Sequence, residues 1–484
     1  MPRERRLPLV LLLVTAISAA AGETQGPVRE PLIDSQSPNA YIWSCGSPKD
    51  DELHNLIRRS HQLGLEIISA SAHSVHVYSD AHDAGSLDGI GLKQCVRLTG
   101  LHNLFRQELK QNWHKLSDTA GEWLQESLLE EMEEQSLRTE RSTEDKDCVL
   151  YGKCGGKEDH WFTEYHDLPE IYSWFEDLAA AHPQYLTVNS SIGKTYHNTD
   201  IMAIRITDKS DPQRKIKVYF QCLMHAREWI SGPICMYIAR HFANPDPETK
   251  ELLKQIELII VPVANPDGYH LTWREYPKYR LWRKNTAPTP NPDCDGVDLN
   301  RNFDAHWSLV GSSDDPCSIL YHGREPGSEL EVQAITSFIH SIAPVSASID
   351  FHSYSQAILF PPAWTDKDPG NTASMEYISG WMAYHASQAG VRYGSQSMHS
   401  LYFAAGTFPD WMLEQGGGEE DSHCAPVAFT VELRPQDTPD GGSVGFMVPT
   451  EQILATCEEM MPAVMKFSHL VVDEFLSCAD SRMK

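Results

Sequence analysis

The chain has few basic residues and no apolar run long enough to span a membrane. Its 484 residues include 40 Lys and Arg against 67 Asp and Glu, a formal net charge of −27. That charge opposes long-range attraction to nucleic acids and anionic membranes, so we expect neither as a partner. The apolar run at residues 7–17 is shorter than the ~20 residues that a bilayer-spanning helix needs.

The N-terminus and the cysteines indicate export. Residues 1–21 place arginines before the apolar run and three alanines after it, as in a cleaved signal peptide. The 11 cysteines of an exported chain predict disulfides, and the odd number leaves at least one thiol outside an intrachain pair. Cys148 and Cys154 are a candidate local pair, whereas Cys222 is interpreted as a small buried apolar residue. Asn189 begins an acceptor sequence for N-glycosylation.

Two segments supply candidate metal ligands. His225 and Glu228 lie between a predicted strand at 215–222 and a predicted helix at 231–242, where α/β folds place their sites. His352 follows a second predicted strand at 345–350. Two imidazoles and one carboxylate leave a coordination position of a zinc ion open, which is typical of catalytic sites.

A third segment, residues 427–434, carries a candidate general base. The period of two on this predicted strand separates an apolar face from a face that carries Ala428, Thr430 and Glu432. A carboxylate on an apolar strand is costly to bury without a function. We therefore expect Glu432 to transfer protons.

Other segments extend this pattern into a family resemblance. Residues 276–284 (YPKYRLWRK), residues 298–302 (DLNRN), and Tyr402 followed by Asp410 and Trp411 resemble motifs of the secreted zinc carboxypeptidases of the pancreatic A/B family. Together with the metal segments they make the chain similar to this family from residue 161 to its C-terminus. The resemblance also implies a disulfide between Cys294 and Cys317.

The resemblance implies a reaction and a role for each residue. One Zn²⁺ per chain would be held by His225, Glu228 and His352, and the enzyme would hydrolyse the C-terminal peptide bond of peptides and proteins. Glu432 would be the general base and Arg283 would stabilise the oxyanion. Asp298 would orient His225. Arg301 would bind the terminal carboxylate of the substrate. The full set of residues that would bind the substrate is Arg227, Asn300, Arg301, Tyr354 and Tyr402.

The specificity pocket is predicted to be uncharged. Ala404, Pro409 and Thr430 occupy the family positions that line it, which predicts a preference for apolar or aromatic C-terminal residues. An apparent insertion between Trp411 and Val427 supplies acidic side chains that could reach the rim and favour basic residues instead. These are Glu419, Glu420 and Asp421.

Four parts are expected along the chain: the signal peptide, a small α+β ferredoxin-like propeptide at 22–115, a charged connecting segment at 116–158, and a catalytic α/β domain at 159–484. The catalytic domain should contain a mixed, mostly parallel sheet flanked by helices. Propeptide strands are predicted at 40–45, 65–69 and 74–78, with helices at 50–64 and 100–109. In the catalytic domain we predict a strand at 256–263 and helices at 328–342, capped by Ser328, at 371–389, and from 449 to about 475.

The charged segment has two interpretations. It is either a solvated spacer or an activation segment in which a trypsin-like protease would cut at Arg138, Arg141 or Lys146. The second interpretation makes the chain a zymogen. We expect it to be secreted, or delivered through the secretory pathway to a vacuole or lysosome. We also expect a monomer. An inactive peptide-binding relative and a deacylase of the same fold remain alternatives. The presence of every ligand, the base and both arginines argues against them.

Overall fold

The structure is a computed structural model of the full chain. It describes residues 160–414 except 212, together with 426–436 and 445–482. From the N-terminal region it describes residues 41–46, 66–70, 74–79, 87, 92–100, 107–108, 111–112 and 115. The predicted signal peptide, the helix at 50–64, the cleavage candidates, the Cys148–Cys154 pair and the acidic residues of the insertion lie outside these ranges.

Four antiparallel strands of the N-terminal region form one sheet in the order β2-β3-β1-β4. They are β1 (Tyr41–Gly46), β2 (Glu66–Ala70), β3 (Ser74–Ser79) and β4 (Lys93–Gly100). The first three lie within a residue or two of the predicted strands. The sequence did not predict β4, and Gly100, expected to begin a helix, ends this strand instead. A disulfide between Cys45 and Cys95 joins β1 to β4.

An eight-stranded sheet is formed by residues 186–433, in the order β11-β10-β12-β9-β7-β8-β6-β5. Its strands are β5 (Leu186–Asn189), β6 (Ala203–Ile206), β7 (Ile216–Cys222), β8 (Ile256–Val261), β9 (Ala347–Ser353), β10 (Ala357–Phe360), β11 (Gly394–Ser397) and β12 (Val427–Leu433). The run β8-β7-β9-β12 is parallel, as is β10 with β11, whereas β10/β12, β6/β8 and β5/β6 are antiparallel. The predicted mixed, mostly parallel sheet is therefore confirmed.

Helices cover both faces of this sheet. They are α1 (Leu168–Ala181), α2 (Ser231–Ala243), α3 (Pro247–Leu253), α4 (Pro266–Arg274), α5 (Leu330–Ile342), α6 (Thr372–Ala386), α7 (Met398–Leu401), α8 (Phe408–Glu414) and α9 (Ile453–Arg482). Phe429 of β12 packs in one core cluster with Phe467 of α9, and Ala428 packs in another with Trp411 of α8. The alternation predicted for β12 therefore separates two buried faces, because central parallel strands are covered on both sides.

Several predicted boundaries differ from those in the structure. Strand β9 continues to Ser353, so His352 lies within the strand and not after it. Glu329, not Ser328, is the N-cap of α5, and the Ser328 hydroxyl donates to the Glu329 carboxylate instead of capping the helix. Helix α9 extends to Arg482, beyond the predicted end at about residue 475, and the segment after α6 is a short 3₁₀ turn.

The cysteines confirm one prediction and correct another. Cys294 and Cys317 form the expected disulfide. Cys222 is not a free buried thiol, because it is bonded to Cys235 on α2, where the packing of α2 beside the end of β7 brings the two Cα atoms to 6.3 Å. Cys457 of α9 is buried in the core. No helix in the described part of the chain is long and apolar enough to cross a membrane.

Candidate metal centre and peptidase site

The three predicted metal ligands meet at the carboxyl ends of the central strands. His225 and Glu228 lie in the loop between β7 and α2, and His352 lies in β9, next to β7 in the sheet. All three are buried. The Nδ1 atom of His225 is 2.8 Å from Glu228 Oε1, that of His352 is 2.8 Å from Glu228 Oε2, and the two Nδ1 atoms are 3.0 Å apart. The fold therefore brings His352 next to Glu228 and His225, which lie 124 and 127 residues before it in the sequence.

These donors fit a zinc ion. Ligands about 2.0 to 2.1 Å from a tetrahedral Zn²⁺ stand roughly 3.3 Å from each other, close to the separations between these atoms. Although burial opposes its charge, His225 and His352 hold the pKa of Glu228 below its ordinary value, so the carboxylate stays available as a ligand. Within the described ranges this is the one group of three or more His, Cys, Asp or Glu side chains with such an arrangement.

Asp298 lies behind His225, as predicted. Its Oδ1 is 3.1 Å from His225 Nε2, and its Oδ2 accepts two hydrogen bonds from Arg283, at 3.0 and 2.9 Å. A carboxylate on Nε2 leaves Nδ1 facing the metal position. Arg283 also lies 3.9 Å from Glu228, which puts a buried cation beside the metal centre.

Glu432 lies next to the ligands without joining them. On β12 it is directly opposite His352 of β9, and it is half-buried. Burial raises the pKa of its carboxyl to about 8, and the negative charge of Glu228 adds to the rise. A carboxyl beside a metal position, with its pKa raised in this way, can accept and return a proton.

Arg301 and Asn300 lie in a 3₁₀ turn, Leu299–Arg301, that begins at Asp298. Arg301 is 2% exposed, and its Nε and Nη1 donate to the carbonyls of Gly311 and Asn300. No carboxylate of the described residues forms an ion pair with it. The side-chain oxygen of Asn300 accepts a hydrogen bond from the Phe408 amide, and Asn300 Nδ2 is 3.4 Å from His352 Nε2.

Two of the remaining predicted substrate residues, Arg227 and Tyr354, contact the same aromatic ring. Arg227 places its guanidinium 4.4 Å from the centre of the Phe446 ring, and the Tyr354 ring packs edge-on against the same ring at 5.0 Å. Tyr402 is the C-cap residue of α7. Burial and the neighbouring Glu432 carboxylate raise the pKa of its hydroxyl, so it remains a hydrogen-bond donor.

A small apolar cluster adjoins Tyr402 and includes one of the three predicted pocket residues, Ala404. Pro409 and Thr430 are buried on the neighbouring elements α8 and β12, with Thr430 opposite Leu359 in register. Sequence reasoning missed the other members, because their apolar types carry no chemical signal. The cluster consists of Ala357, Leu359, Ala363, Met398 and Ala404, with Leu401 and Tyr402 packed against it.

Asp410 is a buried carboxyl beside this cluster that had no predicted role. It accepts hydrogen bonds from the Ala363 amide, at 3.0 Å, and from the Thr407 hydroxyl, at 2.9 Å. Burial raises its pKa to about 7.

Comparison with known proteins assigns the class that this fold and site define. The Peptidase_M14 family of zinc carboxypeptidases matches residues 171–463. The chain belongs to this family, and the resemblance inferred from its motifs is confirmed. It is a zinc metallocarboxypeptidase, with His225, Glu228 and His352 as its potential metal site.

Individual relatives include both A-type and B-type enzymes. Carboxypeptidase B2 of Homo sapiens is 34% identical over 320 residues, which are 64% of this chain and 71% of that protein. Mast cell carboxypeptidase A of Rattus norvegicus is 34% identical over 314 residues, 63% of this chain and 71% of that protein. The crystal structure of thrombin activatable fibrinolysis inhibitor superimposes with a TM-score of 0.69 at 25% identity, covering 90% of this chain and 99% of the other. Carboxypeptidase A of Helicoverpa armigera, at 23% identity, shares the fold with a TM-score of 0.71, covering 90% of this chain and 98% of the other.

Proposed function

We propose that this chain is the secreted zymogen of a carboxypeptidase that releases apolar or aromatic C-terminal residues. The observation that carries the proposal is the buried Arg301, whose acceptors among the described residues are two backbone carbonyls and which lies in the turn that follows Asp298. A buried guanidinium without a counterion is costly, and a free substrate carboxylate would supply the missing partner. Together with the family match, this favours a peptidase over an inactive relative or a deacylase.

Each residue around the metal position would have its own role in the reaction. When bound, zinc supplies the Lewis acid that polarises the scissile carbonyl and lowers the pKa of the attacking water. Glu432 would accept the proton of that water and return it to the leaving amine. Arg283, held by Asp298, would stabilise the negative charge that develops on the carbonyl oxygen. Asn300 and Tyr402 would donate hydrogen bonds to the terminal carboxylate beside Arg301.

The pocket supports the proposed preference for apolar residues. Leu359, Met398, Ala404 and Ala363 form a buried apolar cluster beside Tyr402. Asp410, a buried carboxyl that contacts Ala363 of this cluster, already accepts two hydrogen bonds, and burial raises its pKa to about 7. A substrate Lys or Arg would therefore lose its hydration without gaining a full ion pair.

The contact between Glu108 and Arg280 supports latency. Glu108, from the N-terminal region, is buried and accepts from Arg280 Nε at 2.9 Å. Arg280 in turn donates to the carbonyls of Arg227 and Phe446, on the rim where upstream substrate residues would lie. The N-terminal region would thus cover the entrance until a trypsin-like protease cuts the charged segment. Secretion is supported by the predicted signal peptide and by the exposure of Asn189.

One set of assays tests this proposal. The intact and the trypsin-treated protein are compared on blocked dipeptides ending in Phe, Lys or Glu, and on the amide of the Phe substrate, with and without a chelator. We expect cleavage-dependent, chelator-sensitive release of Phe and no release from the amide. Equal activity of the intact and cleaved forms would contradict latency, and cleavage of the amide would contradict recognition of the chain end.

A Glu108→Gln substitution separates latency from catalysis. Because Arg280 would lose its buried ionic partner, we expect the intact variant to have higher basal activity than the intact wild type. After trypsin treatment the two proteins should be equal, because the N-terminal region then no longer covers the site.

A further inference from the structure

Asp350 is a buried carboxylate at the metal centre that sequence reasoning did not assign. It lies on β9 two residues before His352, so both side chains point to the same face of the sheet. Its Oδ2 is 2.8 Å from His352 Nε2, and the residue is fully buried. We propose that Asp350 is a positioning residue that holds His352 in its metal-binding orientation and tautomer. This inference rests on the proposed role of His352 as a ligand.

The contacts of Asp350 point to this one role. Among the described residues, its only ion-pairing partner is His352, and its Oδ1 has no hydrogen-bond partner. A buried carboxylate is stabilised by an N–H donor, so His352 carries a proton on Nε2 and directs that N–H at Asp350. The lone pair on Nδ1 then faces Glu228 Oε2 and His225 Nδ1, the metal position. The other contact of Nε2, with Asn300 Nδ2 at 3.4 Å, is longer and offers no acceptor.

Asp298 makes the matching contact with the other histidine, but its charge is shared. It accepts two hydrogen bonds from Arg283 and one from the Asn300 amide in addition to its contact with His225. Among the described residues no Lys or Arg pairs with Asp350, so its charge acts mainly on His352. The two imidazoles therefore have the same arrangement, Nε2 on a carboxylate and Nδ1 towards the metal, with the stronger electrostatic support at His352.

The neighbouring strands flank Asp350 with polar groups. Gln221 of β7 and Thr430 of β12 are its direct register partners, one strand spacing or about 4.8 Å away on either side. Both are buried, and Gln221 Nε2 and Thr430 Oγ1 have no hydrogen-bond partner. The Gln221 oxygen already accepts from Tyr219, which leaves its amide N–H groups available to the carboxylate. Polar groups of both neighbouring strands therefore flank Asp350.

Zinc affinity tests the inference without relying on peptidase activity. Metal-free Asp350→Ala, Asp350→Asn and wild-type proteins are titrated with zinc against a competing chelator, and their cobalt forms are compared by visible absorption. We expect a 10- to 100-fold weaker zinc affinity and an altered cobalt spectrum for the Ala variant. The Asn variant keeps an acceptor for the Nε2–H and should lose less. Ser348→Ala, a buried position on the same strand and face, is the matched control and should bind zinc as the wild type does.

The outcomes separate this inference from the proposed metal site. His352→Ala should lose the metal. If it does, while Asp350→Ala binds zinc with wild-type affinity and spectrum, the positioning role is wrong and the ligand assignment stands. If His352→Ala keeps its zinc, the ligand assignment itself is wrong. Equal losses in Asp350→Ala and Ser348→Ala would also overturn the inference, because they would indicate general damage to β9. Thermal unfolding of the metal-free proteins identifies such damage directly.

Discussion

Replacing Arg301 with methionine is expected to abolish recognition of the substrate's chain end. The guanidinium is 2% exposed, it donates to two backbone carbonyls, and it has no carboxylate partner among the described residues. Methionine has a similar length and fits a buried site, but it lacks both the charge and the donors. A substrate carboxylate would then be buried against an apolar side chain.

The magnitude follows from the burial of the pair. Removing one partner of a buried, hydrogen-bonded charge pair costs about 2–5 kcal/mol. At about 1.4 kcal/mol per tenfold, kcat/KM should fall by roughly 30-fold to several thousand-fold. A substrate with an amidated C-terminus gains nothing from Arg301, so any residual rate on it should not change. The ratio of kcat/KM for the free peptide to kcat/KM for the amidated peptide should therefore fall by the same factor.

The assay measures kcat/KM of the cleaved enzyme on a free and an amidated peptide of the same sequence. The carbonyls of Gly311 and Asn300 each lose a donor, at a cost of roughly 1–3 kcal/mol, so the melting temperature and zinc content are measured alongside. Arg324→Met, at an exposed arginine, is the matched control. A folded, zinc-loaded Arg301→Met enzyme that still prefers the free carboxylate would refute the reasoning.

Three further predictions concern the base, the pocket and pH. Glu432→Gln should retain zinc and lose 10²- to 10⁴-fold in turnover; an empty or fully active variant would contradict its role as a base. Pro409→Asp should move the preference from Phe towards Lys and Arg by at least about tenfold in kcat/KM, since it offers a buried cation a partner; an unchanged preference would place Pro409 outside the pocket. Because the pKa of Asp410 is raised to about 7, the folded protein binds the proton of this carboxyl more tightly than the unfolded chain does. The stability that this proton contributes is therefore lost as pH rises from about 4 through 7. Asp410→Asn should remove that fall, seen as a smaller loss of melting temperature between pH 5 and pH 8, and parallel curves would contradict it.

Much of the metal site could be predicted because its signals are local. His225 and Glu228 are three residues apart beside a strand and a helix with clear apolar patterns, and the period of two on β12 predicts that Glu432 shares a face with Thr430. Asp350 shows where this reasoning ends. The predicted strand ends at Asp350, whereas β9 continues to Ser353 and pairs with β12 as far as that residue. The contact of Asp350 with His352, on the same face, is seen only in the structure.

Contacts between distant parts of the chain could not be predicted. The pairing of Cys222 with Cys235 depends on how α2 packs beside β7, and Glu108 meets Arg280 across 172 residues. The sequence shows each of these residues but not its partner. The same limit applies to the apolar cluster beside Tyr402, because Leu359 comes to lie opposite Thr430 only when β10 pairs with β12.

The arginines of the site differ in their partners, and the difference assigns them different tasks. Arg283 is paired with Asp298, which holds it beside the metal position. Arg280 is paired with Glu108 of the N-terminal region, so removal of that region would change its environment. Among the described residues, Arg301 has only backbone acceptors. Latency would therefore act at Arg280, on access of upstream substrate residues, while the groups proposed to perform the chemistry are already assembled in the intact chain.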